Sequence, residues 1–126
     1  MSTQTVTVAR PQETVWAWLI KIATGPLLLV LIFVHLVVNH FVGSQNGLMS
    51  YADVVAYFSN PWVVAMEITF LIAAVTHSLL GLRAVLLDLR PSLKAVQLIN
   101  WLFGLVGVGF IVYGIWLALT IAAQAK

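Results

Sequence analysis

The chain has 126 residues, 62% of them hydrophobic and only 8% charged, with a formal net charge of +2. A soluble domain of this size cannot hide so much apolar side chain, so the composition is that of a membrane protein in one domain. The few basic residues are dispersed, which argues against a nucleic-acid surface. The absence of cysteine excludes disulfides, thiolate metal sites and cysteine-ligated iron–sulfur clusters within the chain.

Residues 1–14 are polar, with Arg10 as their only base, and read as an N-terminal segment ahead of a membrane-anchor domain at 15–126. The apolar run that follows is longer than a signal-peptide core and shows no small-residue cleavage site, so it reads as a retained span. No formal charge occurs from Ile22 to Val42 or from Ala95 to Ala123, and between them Pro61 to about Leu87 carries only Glu67 and Arg83. A spanning helix needs roughly 20 mostly apolar residues. The expected elements are therefore transmembrane helices at about 15–42, 61–88 and 95–123. Pro26 lies inside the first span, where a kink is expected. Asn60-Pro61 is a start signal for the second span, and Pro91 is a stop signal after Arg90.

Between the first two spans, Leu48, Tyr51, Val55 and Phe58 recur at helical spacing, which predicts a short amphipathic helix on the membrane surface. Arg10, Lys21, Arg83, Arg90 and Lys94 fall on one side of the three spans and Lys126 on the other. The positive-inside rule then puts the N-terminus in the cytoplasm and the C-terminus outside. Trp16, Trp18 and Trp62 sit at the expected interfaces. Gly104, Gly107, Gly114 and Ala118 form a small-residue stripe on the third span, which suits close helix packing.

Histidines in hydrocarbon are costly and mark function by default. His35 lies about 9 Å outward of the middle of the first span, and His77 about 4–5 Å inward of the middle of the second, at 1.5 Å per residue. Two imidazoles at different depths do not share one metal, so each needs its own partner. Ala73 and Gly81 lie one turn either side of His77, and small residues there let a flat macrocycle approach the helix. That arrangement suits haem, for which histidine is a common axial ligand. The residues leave a second reading open, an imidazole hydrogen-bonded to a backbone carbonyl or water. Leu31 and Asn39 share the face of His35. His40 is about 500° further round the helix, at the outer interface, and is a weaker alternative ligand. Glu67, near the outer end of the second span and about 10 Å from its middle, reads as a wet interfacial acid, with a proton path or a partner's base as the other possibilities.

His77, Gly81 and Asp88 form H-x3-G-x6-D at the inner end of the second span. This resembles the membrane-anchor subunits of succinate dehydrogenase (succinate:quinone oxidoreductase), in particular the small three-helix D-type anchor. "HLVVNH" in a span that carries Gly25-Pro26 is similar to the first-helix haem motif of two-haem cytochrome b anchors. The resemblance covers the chain in length, number of spans and histidine placement. It implies an all-α membrane protein whose three transmembrane helices form half of a heterodimeric haem-binding helix bundle. The partner would be a second small membrane-anchor subunit, with a flavoprotein and an iron–sulfur subunit held on the cytoplasmic face of a prokaryotic inner membrane.

On this resemblance the chain carries no succinate chemistry of its own. It helps pass electrons from succinate, through flavin and clusters, to membrane quinone. One or two haems b would be shared with the partner, His77 as the proximal axial ligand and His35 as the distal one. Arg83 would meet a haem propionate, its other reading being a snorkelling base. Asp88 and Lys21 would be quinone-site candidates, and Lys21 alternatively a group for a propionate or phospholipid. The tyrosine that often follows the acid is Leu89 here, which moves weight for quinone binding to the partner. Alternative readings are the anchor of a fumarate reductase or of another respiratory dehydrogenase, or a haem-free structural or transport subunit.

Overall fold

In the computed structural model of the chain, residues 13–42 and 49–125 are described. They are all-α: α1 spans Val15–Val37 and runs into a π-helical turn at Val38–Val42, α2 spans Tyr51–Phe58, α3 Pro61–Asp88 and α4 Leu93–Gln124. α1 with its π turn, α3 and α4 are long and apolar enough to cross a membrane. At 28 residues α3 is about 42 Å long, more than the roughly 30 Å of a hydrocarbon core. The three expected spans are present, and the second matches its expected limits.

Each helix starts where a side chain can accept an orphan backbone N–H. Thr14, Ser50, Asn60 and Ser92 are the N-caps, accepting from the backbone of Ala17, Asp53, Trp62 and Ala95 respectively. Ser50 and Asp53 complete a reciprocal capping box on α2. The surface helix expected from Tyr51, Val55 and Phe58 is α2; Leu48 lies outside the described residues. Arg90 ends the α3 corner in the left-handed region with φ 55°, just before Pro91, and so turns the chain back into α4. α1 continues through Pro26.

α3 is the central helix. α1 packs on one side of it and α4 on another, and α1 and α4 do not touch each other among the described residues. α2 lies across the N-terminal end of α3 and the C-terminal end of α4, where the Tyr51 hydroxyl bonds to the Gln124 side chain. The small-residue stripe of α4 divides in two. A Cβ added at Gly107 would come within 2.8 Å of Leu79 Cδ1, and one at Gly114 within 2.4 Å of Leu71 Cδ2. Those two glycines serve close packing. Gly104 has nothing within 4 Å of its Cβ position, so its bareness leaves space instead.

Only Ala73, Leu87, Gly107 and Ala118 are buried among the described residues, whereas side chains as large as Phe33 and Leu105 are mostly exposed. So little core cannot offset chain entropy in water; an apolar surrounding such as lipid must cover the rest.

Candidate functional site: two imidazoles at two depths

The antiparallel packing of α1 against α3 puts both span histidines in one interface, at separate levels. His35 of α1 meets Glu67 of α3, and His77 of α3 meets Lys21, Thr24 and Gly25 of α1. Glu67 and His77 are ten residues apart on α3, so the levels differ by about 15 Å at 1.5 Å per residue.

At one level, His77 Nδ1 lies 3.0 Å from Thr24 Oγ1 and 3.2 Å from the Lys21 carbonyl oxygen. A carbonyl can only accept. The Thr24 hydroxyl donates its own proton to the Ile20 carbonyl at 2.7 Å, leaving its oxygen to accept. Nδ1 must therefore carry the hydrogen, and in the neutral ring Nε2 then holds a lone pair. Gly25 brings α1 close to the ring: a Cβ there would sit 3.5 Å from His77 Cε1. Gly81, one turn on, has nothing within 4 Å of its Cβ position. The face next to His77 is thus open where a flat group would need room, and Ala73 on the other side is fully packed. Holding one ring nitrogen on a carbonyl orients the other, as metal ligation by a histidine requires.

At the other level, His35 Nδ1 lies 2.7 and 3.0 Å from the two Glu67 carboxylate oxygens. The carboxylate fixes the Nδ1–H form in the same way. Phe70 flanks the ring at 5.2 Å between centroids. The Asn39 amide donates to the His35 carbonyl at 2.8 Å, and the Tyr57 hydroxyl of α2 donates to Glu67. Burial, and then the Glu67 carboxylate, push the Tyr57 phenol above its ordinary range, so it remains a donor at neutral pH. Glu67 is thus not the wet interfacial acid expected from its position. Its side chain is 13% exposed and bonded from two elements, because α1 and α2 close over it.

The other sequence candidates lie apart from these two levels. His40 is exposed on the π turn, and Asp88 is exposed at the end of α3. Lys21 gives its ammonium to Glu13 at 2.9 Å, so that within the site it acts through its backbone carbonyl. Arg83 is about 240° round α3 from His77 and donates its Nε–H to Asn100 Oδ1 on α4 at 2.7 Å. No group of three histidine or carboxylate side chains converges on a metal position among the described residues.

Three helices long and apolar enough to cross a membrane, with one oriented imidazole at each of two levels, define a multi-pass membrane subunit. Residues 3–115 match the family described as succinate dehydrogenase/fumarate reductase transmembrane subunit, and the chain belongs to that family. It is 30% identical over 105 residues to the succinate dehydrogenase hydrophobic membrane anchor subunit of Archaeoglobus fulgidus, covering 83% of this chain and 88% of that protein. No solved structure matches the chain.

Proposed function

We propose that this anchor holds haem b together with a second small membrane subunit, and that it helps carry electrons from a peripheral succinate-oxidising flavoprotein and iron–sulfur subunit to membrane quinone. Haem, when bound, supplies a one-electron carrier inside the bilayer. His77 would present Nε2 to the iron of a proximal haem, with Thr24 and the Lys21 carbonyl holding the ring in the Nδ1–H form. His35 would do the same for a distal haem, held by Glu67. Each level offers one imidazole, so the second axial ligand would come from the partner. Asp88, and more weakly Lys21, remain the candidates at the quinone rim, with the N-terminus and the basic edge on the cytoplasmic side.

The observation that carries this reading is the Nδ1 of His77 bonded to a carbonyl oxygen, which leaves Nε2 with its lone pair. The pairing of His35 with Glu67 also favours a second reading for that residue alone, an imidazole–carboxylate hydrogen bond without iron. A reduced-minus-oxidised spectrum of the purified assembly tests both. A b-type band lost in His77→Ala supports the proposal. Loss of a second band in His35→Ala supports two haems, and an unchanged band there supports the hydrogen-bonded reading for His35. No b-type band in the wild type, or a full one in both variants, refutes haem binding. A flavin-containing subunit that co-purifies supports the assignment to a succinate-oxidising assembly.

A further inference from the structure

A groove of about 420 Å³ runs along α3 between α1 and α4, on the side where these two helices do not meet. That volume is within the range of small-molecule sites, roughly 300–1,000 Å³. Its walls are apolar, with Leu79, Leu80, Phe103 and Gly104 among them, apart from Thr76 and a polar end made by Arg83 and Asn100. Along α4 it extends from Asn100 to Ile111, about 16 Å at 1.5 Å per residue. That is close to half of a hydrocarbon core roughly 30 Å thick, so the groove has the depth of one leaflet.

Its polar end is basic. Asn100 takes only the Nε–H of Arg83. A guanidinium has five N–H donors, so four are left, and the fork is shaped for phosphate oxygens. Arg90 and Lys94 stand at the same α3–α4 corner, with Asp88 as the acid there. The groove also has room not demanded by helix packing: Gly107 is bare because Leu79 presses on it, whereas Gly104 faces open space.

We propose that this groove binds one anionic phospholipid, its phosphate on Arg83 and an acyl chain along α4 past Gly104 toward Ile111. Basic clefts between membrane helices recognise anionic headgroups in this way. The groove is lined by neither His35 nor His77, and the proposal assigns Arg83 to a lipid phosphate rather than to a haem propionate.

The test uses the full chain in membranes with the subunits that accompany it, and phosphatidylglycerol carrying a photoactivatable group in its acyl chain. Labelling should concentrate on residues 100–111 and exceed that by a phosphatidylcholine of the same chain. Arg83→Gln should cut the phosphatidylglycerol labelling by about tenfold or more, the weight of a hydrogen bond to a charged group. Gly104→Leu, which fills the groove, should cut labelling by both lipids. Equal labelling by the two lipids in the wild type overturns the proposal without recourse to any variant. So does absence of label from 100–111, as when a helix of the partner covers the groove. Retained labelling in Arg83→Gln together with a changed b-type spectrum also overturns it, and returns Arg83 to a propionate.

Discussion

Replacing Thr24 by valine tests whether the α1 backbone holds the His77 ring. The side chain keeps its shape and loses one acceptor. In the structure Nδ1–H is shared between Thr24 Oγ1 at 3.0 Å and the Lys21 carbonyl at 3.2 Å, so the longer of the two partners survives the change. A net hydrogen bond contributes about 0.5–1.5 kcal/mol, which converts to a loss of about twofold to twelvefold in haem affinity. Complete loss of such a partner typically costs about 10–100-fold. Thr24→Val should therefore fall at or below the lower edge of that range, and Thr24→Ser should match the wild type. The assay is haem b absorbance per assembly after dilution, or titration of haem into the haem-free assembly. Wild-type retention in Thr24→Val would refute the positioning role, provided His77→Ala has lost its haem. A loss in Thr24→Val as complete as in His77→Ala would also refute it, since the hydroxyl would then be doing more than sharing a proton.

Glu67→Gln keeps an acceptor for His35 but removes its charge; assembly stability, read by thermal unfolding, should fall by about 1–2 kcal/mol, the difference between charged and neutral hydrogen bonds. Gly114→Ala should destabilise by about 1–3 kcal/mol through overpacking against Leu71. Gly104→Ala should be neutral or stabilising by up to about 1 kcal/mol, because its Cβ meets nothing and alanine favours helix; the reverse order of the two would refute the division of the stripe. The Ser50 backbone N–H and then its hydroxyl hold the Asp53 carboxyl below its ordinary value. A lowered carboxyl stabilises the fold above its unfolded-state value and loses that contribution as pH falls through the folded-state value. Amide exchange across 51–58 should therefore quicken on acidification, and in Ser50→Ala it should be fast already and less dependent on pH.

Much of the histidine site was legible as depth along straight helices. The rise per residue places His35 about 9 Å and Glu67 about 10 Å outward of their span centres, so their pairing was within reach of the same arithmetic. It was missed because each residue was set against its own helix rather than across two. Thr24 gave no sequence signal, since a threonine in a span ordinarily bonds only to its own helix, as Thr24 also does with Ile20. From the sequence Arg83 is open to two readings, a group for a haem propionate or a snorkelling base. Six residues of helix turn it about 240° from His77, toward Asn100, and only the position of α4 gives that direction a partner.

Charge-free runs of bilayer length and their polar caps are local properties. They therefore determined three spans, the surface helix and the two depths of imidazole before any packing was known. Which nitrogen of each histidine carries the hydrogen, which α4 glycines are packed and which are bare, and where Arg83 reaches were decided by the tertiary structure. Those outcomes depend on rotation of one helix against another, and hydropathy is blind to rotation when nearly every face of a membrane helix is apolar.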